Sequence, residues 1–335
     1  MQRTTGDENG PIERKVQVTG GSTYTVSIPK TWADSHEIGS GSSVYLYPFD
    51  DRLIIAQPNG EKSLRRARIN VETAGEESLS GQIGAAYAAG SDEIVVESDT
   101  QFSTSERRAA SQAITDLVGM EITTETEQEL TAKTLLDSAE ISLTGTIEQI
   151  RGIALSMHEN AVDAVVHGEG ETRPEHIVSR DDEVDRLFAL VSRQFYRILT
   201  DIREVNQLKA NRRTAFTHFR TARQLERIAD HAERIADVAD KQTEPPDPEV
   251  GAEFETLATD ARRVVRTALD GNAGEAMLRR DDVVEQLDDL DRRLYKTENE
   301  DVYLYSRVLA SVRRTAEYGG NIAEIVTLSE MTESS

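Results

Sequence analysis

Cysteine is absent from the 335-residue chain, which excludes disulfides, cysteine-ligated zinc, iron–sulfur clusters and thiol catalysis together. Aromatic residues are scarce, at 5%. Lysine is scarcer still among the cations: only seven of the 38 basic residues are lysine, the rest arginine. No apolar run approaches the ~20 residues of a membrane span, and the first ten residues, MQRTTGDENG, lack the hydrophobic core of a secretion signal. Both absences predict a cytoplasmic protein with no membrane insertion. Neither G-x-G-x-x-G nor G-x-x-x-x-G-K-[ST] occurs, so no phosphate loop is predicted. Neither G-x-S-x-G nor H-E-x-x-H occurs, and no catalytic residue is assigned.

Acidic side chains are abundant. They number 61 against 38 basic ones, a net charge of −23, which argues against nucleic-acid binding by the molecule as a whole. An acid-rich, lysine-poor surface suits a cytosol of very high salt. At ~1 M salt the Debye length is ~3 Å, and the self-repulsion is screened. A halophilic background is therefore expected.

The apolar pattern divides the chain. Residues 1–10 are polar and expected to be a disordered tail. Residues 11–58 read as short strands. Val16 and Val18 alternate with polar neighbours up to Gly20-Gly21, and Tyr24, Val26 and Ile28 alternate up to Pro29. Trp32 to Glu37 fits about one helical turn, and Val44, Leu46 and Leu53-Ile54-Ile55 flank an Asp50-Asp51 turn. A module this small has little core and gains by dimerising. Residues 62–136 follow a βαβαβ order, with strands at Ala67–Val71, Ile94–Val96 and Met120–Thr124 and helices at Glu76–Ala89 and Ser105–Val118. From 138 to 330 the period is helical. Breaks near Gly168–Gly170, Lys209–Arg213, Pro245–Pro248, Gly271–Gly274 and Asn299–Asp301 leave six long helices, three in 138–244 and three in 249–330. The fold class is thus multi-domain α+β: a small β module, a small α/β layer and an all-α tandem.

The two helical halves repeat. Arg180-Asp-Asp-Glu-Val-Asp185 recurs as Arg280-Asp-Asp-Val-Val-Glu285, and Leu225–Asp230 has a counterpart in Ala316–Asn321. Glu226 and Asp230, four apart, share a helix face opposite the apolar stripe of Leu225, Ile228, Ala229 and Ala232, so they are expected to point outward. Asp181 and Asp185 sit likewise in the preceding helix. Antiparallel packing would bring the pairs together, and their hard oxygens suit Mg²⁺, Mn²⁺, Ca²⁺ or iron. Spacing alone carries little in a chain this acidic; the surrounding ERIADHAERIAD and the duplication add weight. Asp281, Glu285 and Glu317 form the weaker second set, because Asn321 replaces the second acid and Gly319-Gly320 would loosen the helix by ~1 kcal/mol per glycine. A carboxylate-bridged di-iron bundle needs Glu three residues before His, and none of the six histidines has one. His231, beside Asp230, is expected to be a solvated surface residue. Residues 11–58 carry four basic and five acidic residues, nearly neutral, so any DNA contact must come from there, through Arg14, Lys15 and Lys30.

LERIADHAERIAD resembles the signature of the phosphate-uptake regulator (PhoU) family, built of two three-helix bundles with an E/D-x-x-x-D metal motif in each. RKVQVTGGSTYTVSIPKTWA resembles the AbrB/SpoVT swapped-hairpin DNA-binding family. Together, with the α/β layer between them, they resemble archaeal PhoU proteins that carry an N-terminal AbrB-like domain. The resemblance places family ligands on Asp181, Asp185, Glu226 and Asp230, and on Asp281, Glu285 and Glu317. The family's D-L-R at the third helix falls on Asn211-Arg212-Arg213, so a usual ligand or cap is missing. The resemblance implies a non-enzymatic regulator of phosphate uptake, a homodimer, which binds DNA through residues 11–58. It also implies a divalent or trivalent metal (Mg, Mn, Fe or Zn) and a transporter ATPase or sensor kinase as partner. An adaptor that dimerises without touching DNA is the alternative.

Overall fold

Short alternating runs punctuated by glycine build the first elements. The computed structural model describes residues 11–49, 52–56, 64–136, 141–168, 174–201, 204–205, 211–296 and 300–333. Strands β1 (Gln17–Thr19) and β2 (Thr23–Thr25) pair antiparallel, with Val18 opposite Tyr24. Gly20 and Gly21 make the turn at φ 65° and 81°, where a side chain would strain the backbone. After Pro29 comes the short helix α1 (Lys30–Ser35), and then a second hairpin of β3 (Tyr45–Phe49) and β4 (Arg52–Ala56). These elements belong to one compact unit, Met1–Leu64. None of its described residues is buried. Val16, Val18, Tyr24, Val26 and Leu46 are each more than half exposed. The expected tail, the Asp50-Asp51 turn and the breaks at Glu169-Gly170, Lys209 and Asn299 lie outside the described residues.

The second unit, Arg65–Ser335, holds the α/β layer and the helices. The layer runs β5 (Arg66–Asn70), α2 (Val71–Ala74), α3 (Glu76–Ala88), β6 (Glu93–Glu97), α4 (Thr104–Thr115), β7 (Met120–Glu125) and β8 (Glu129–Thr134). A capping box starts α4: Ser103 Oγ accepts from Glu106 N, and Glu106 returns the bond to Ser103 N. The sheet order is β5-β6-β8-β7, with β5 and β6 parallel and the other pairs antiparallel. The order is therefore βαβαββ, one strand more than the βαβαβ that the sequence suggests. The added strand, ELTAKT, has only one large apolar residue. It forms because it sits between β6 and β7, where its ladder bonds are met on both edges. Tyr87, Ile94, Val96, Ile114 and Leu130 are fully buried in this layer's core.

Six helices follow: α5 (Leu143–His167), α6 (Pro174–Thr200), α7 (Arg212–Lys241), α8 (Pro248–Leu269), α9 (Ala273–Leu294) and α10 (Val302–Glu333). Gly168 and Gly271, at φ 76° and 87°, end α5 and α8. Within each half the three helices pack on one another; between halves α7 packs on α10 and α5 on α8. Helices α6 and α9 are thus the outer members. Asn211 caps α7, its Oδ1 accepting from Thr214 N at 2.8 Å. The expected loss of a cap there does not occur, since an asparagine oxygen serves as well as an aspartate's.

Gly319 and Gly320 do not break α10. Both sit inside one continuous helix of 32 residues. A Cβ on Gly319 would lie 2.8 Å from Val264 Cγ1 and 3.0 Å from Val265 N, so α8 comes in at backbone distance. A Cβ on Gly320 would lie 2.7 Å from Arg280 Cδ, whose side chain fills that space. The pair costs propensity and returns close helix packing.

Two buried arginines on α6 join the α/β layer to the helices. Arg193 Nη1 donates to the carbonyls of Tyr87 (3.1 Å) and Ser91 (2.6 Å). Arg197 pairs with Asp92 and with buried Glu204. The link between the halves is tied down as well. Thr243 N donates to Asp301 Oδ2 at 2.8 Å, and Tyr305 Oη donates to the Glu244 carbonyl at 2.9 Å.

Candidate metal centre and nucleic-acid interface

Packing of α6 on α7 sets Asp181 and Asp185 within electrostatic reach of Asp230, and Asp185 and Asp230 within reach of Glu226. Burial pushes the Asp181 carboxyl up to about 7, and the charges of Asp185, Asp230 and Glu233 push it the same way. Burial, then Asp230, lifts Glu226 to about 7, against the opposing pull of Arg223. Asp185 is raised by partial desolvation and then by Asp230. Asp181 Oδ1 and Glu226 Oε2 are buried oxygens without a hydrogen-bond partner. Glu226 is buried, at 8% exposure, rather than pointing outward: Arg223 lies against it, and Asp185 of α6 acts on it electrostatically. Its other oxygen accepts from Arg223 at 2.9 Å. The two orphaned carboxylate oxygens are of the hard type that a cation takes, but no three ligand atoms of the quartet lie within 4.8 Å of one another.

The equivalent residues of the second half have other neighbours. Arg280 pairs with Asp281 at 2.7 Å, and Arg314 with Glu317 at 2.7 Å. Glu285 is exposed, and Asn321 donates to Gln224 Oε1 at 2.9 Å. His231 is no solvated surface residue: it is 9% exposed, because the α7–α10 contact covers it. It faces away from the carboxylates, with Nδ1 3.2 Å from Ser311 Oγ and Nε2 3.4 Å from Tyr318 Oη. Burial, then Arg234 and Arg314, brings it down to about 4, so it is neutral at pH 7.

Among the described residues, the trio of ligand atoms lying within 4.8 Å of one another belongs to Asp163, His167 and Glu255. His167 Nε2 stands 2.8 Å from Glu255 Oε1 and 3.6 Å from Asp163 Oδ1. The sequence carries no signal for this trio: Asp163 precedes His167 by four residues rather than three, and Glu255 joins from α8. In the N-terminal unit Arg14 and Lys15 stand exposed just before β1, and Lys30 stands exposed at the start of α1. Trp32 on α1 and His36 just after its end stack at 4.5 Å.

Residues 147–239 match the PhoU domain. The match spans α5 to α7, the half that keeps both acidic pairs, and stops before α8. Residues 17–63 match the MazE antidote-toxin recognition domain of bacterial antitoxins, an AbrB-like module. No curated protein matches the chain. The PhoU domain points to regulation of phosphate homeostasis, and members of that family are regulators rather than enzymes. The antitoxin-type domain is compatible with DNA binding or dimerisation. Among the described residues no helix is long and apolar enough to cross a membrane.

Proposed function

We propose that the chain is a DNA-binding regulator of phosphate homeostasis that works as a homodimer. The observation that carries this reading is the N-terminal unit, whose apolar side chains lie open in a single copy. Two copies laid together bury those side chains, and the pairing doubles the set of Arg14, Lys15 and Lys30 available to phosphates. The near neutrality of residues 11–58, in a chain of net charge −23, supports DNA approach at this end. Asp181, Asp185, Glu226 and Asp230 are the residues that would hold a divalent or trivalent metal. The ion would neutralise their mutual repulsion and tighten α6 on α7. The helical halves would meet a transporter ATPase or sensor kinase through their outer faces. The test is footprinting of the full chain on phosphate-responsive promoters at molar KCl. Protection by the wild type, lost in Arg14→Ala/Lys15→Ala/Lys30→Ala with dimers intact, is the expected outcome. Intact wild-type dimers that protect no DNA would replace this reading with the adaptor role.

A further inference from the structure

A cavity of about 780 Å³ opens where α7, α9 and α10 meet, and its wall is strongly basic in a strongly acidic protein. Arg227 and Arg234 reach it from α7, Arg280 from α9 and Arg314 from α10. Arg280 and Arg314 have carboxylate partners, Asp281 and Glu317. Arg227 and Arg234 form no ion pair within 4.0 Å among the described residues, although the charge of Arg227 also acts on Glu226. Arg227 lies over the Tyr318 ring, 5.9 Å from its centroid, and Arg234 Nη1 stands 3.4 Å from His231 Nε2. Counted together, four guanidiniums and two carboxylates leave a surplus of two positive charges, with His231 neutral.

The fold has made room for this wall. Arg280 lies in the space that a side chain at position 320 would occupy, so glycine there lets the guanidinium reach the cavity. Asn321 stands where the first half carries Asp230, which removes a negative charge from the rim. The pocket therefore lies between the halves: α7 of the first half supplies Arg227 and Arg234, and the second half supplies Arg280 and Arg314 in place of a second carboxylate cluster.

From this we infer that the cavity between α7, α9 and α10 binds a phosphorylated small molecule of nucleotide size, with Arg227 and Arg234 holding its phosphate groups. Guanidinium forks match phosphate oxygens in pairs, and two unpaired forks match a doubly charged group. The volume lies in the range of small-molecule sites, which leaves room for more than a lone phosphate. The face of Val284 and the ring of Tyr318 offer the less polar wall. The assignment uses neither the DNA contact nor the acidic quartet of the proposed function.

Calorimetric titration of the full chain with ATP, ADP, pyrophosphate, orthophosphate and sulfate, at 0.2 M and 2 M KCl, tests it. Saturable binding of at least one phosphate compound is expected, and its affinity should fall about tenfold in Arg227→Gln and again in Arg234→Gln. Arg279→Gln, which removes a surface pair on α9 outside the cavity, should leave affinity unchanged. Circular dichroism would show whether each variant keeps its helices, and Arg227→Lys and Arg234→Lys, gentler to the fold, should still weaken binding. Absence of saturable binding at both salts would overturn the inference. So would sulfate binding as tightly as every phosphate compound, or variants that bind like the wild type.

Discussion

Asp181 and Glu226 show what a single half-hidden carboxyl does to stability. Unfolded, they titrate in the ordinary carboxylate range; folded, each is pushed up to about 7. Between those limits the folded chain binds more protons than the unfolded one, so stability falls as pH rises. Their favourable contribution is complete below about pH 4 and is lost as pH climbs through about 7. With chelator present, the melting temperature should therefore drop between pH 5 and 8, and Glu226→Gln should flatten that slope. A slope unchanged in the variant would refute it. If the quartet holds metal, Glu226→Ala with Asp230→Ala should empty it by elemental analysis while the helical spectrum persists. Glu226 and Asp230 were legible because they are four apart on one helix, within a repeated motif. The burial of Glu226 was not legible, since it depends on how α6 and α7 pack. The arginine pocket was hidden for a similar reason: its four cations come from three helices, up to 87 residues apart in sequence.

At the scale of the element, the glycine pair in α10 is the instructive case. Propensity alone says that each glycine weakens the helix by about 1 kcal/mol. Packing sets the two apart. Gly319→Ala would press a methyl group onto the backbone of α8, and it should cost about 1–3 kcal/mol despite the gain in helix propensity. Gly320→Ala meets only a flexible arginine side chain, which can swing aside, and it should be near neutral. Urea unfolding of both variants checks the contrast; equal effects would mean that α8 yields as readily as Arg280 does. The six helices were readable from period and punctuation, because glycine, proline and polar caps fall where the chain turns. Strand β8 was not readable. ELTAKT alternates only weakly, with Leu130 as its one large apolar residue and Ala132 as a small one, and its place between two neighbours is what makes it a strand.

For the whole molecule, the exposed apolar faces of the N-terminal unit set the expected assembly. Val18→Asp with Leu46→Asp places charges on two of those faces, both more than half exposed in one copy. Light scattering should then give monomers where the wild type gives dimers, with the spectrum of the helical unit unchanged. Dimers that survive the change would move the contact elsewhere. The dividing line between β-rich and helical sequence was clear from periodicity. The joining of the α/β layer to the helices was not, since buried Arg193 and Arg197 look like ordinary surface cations in a helix pattern.

The connector between the two triplets has a consequence for how copies of this protein can entangle. Exchange of one triplet with a neighbouring molecule needs the joint to swing open like a gate. Here that joint is latched twice onto the start of the last helix, through Thr243 with Asp301 and Glu244 with Tyr305. Both latches must release before a half can leave, which raises the barrier to trading a triplet between crowded copies.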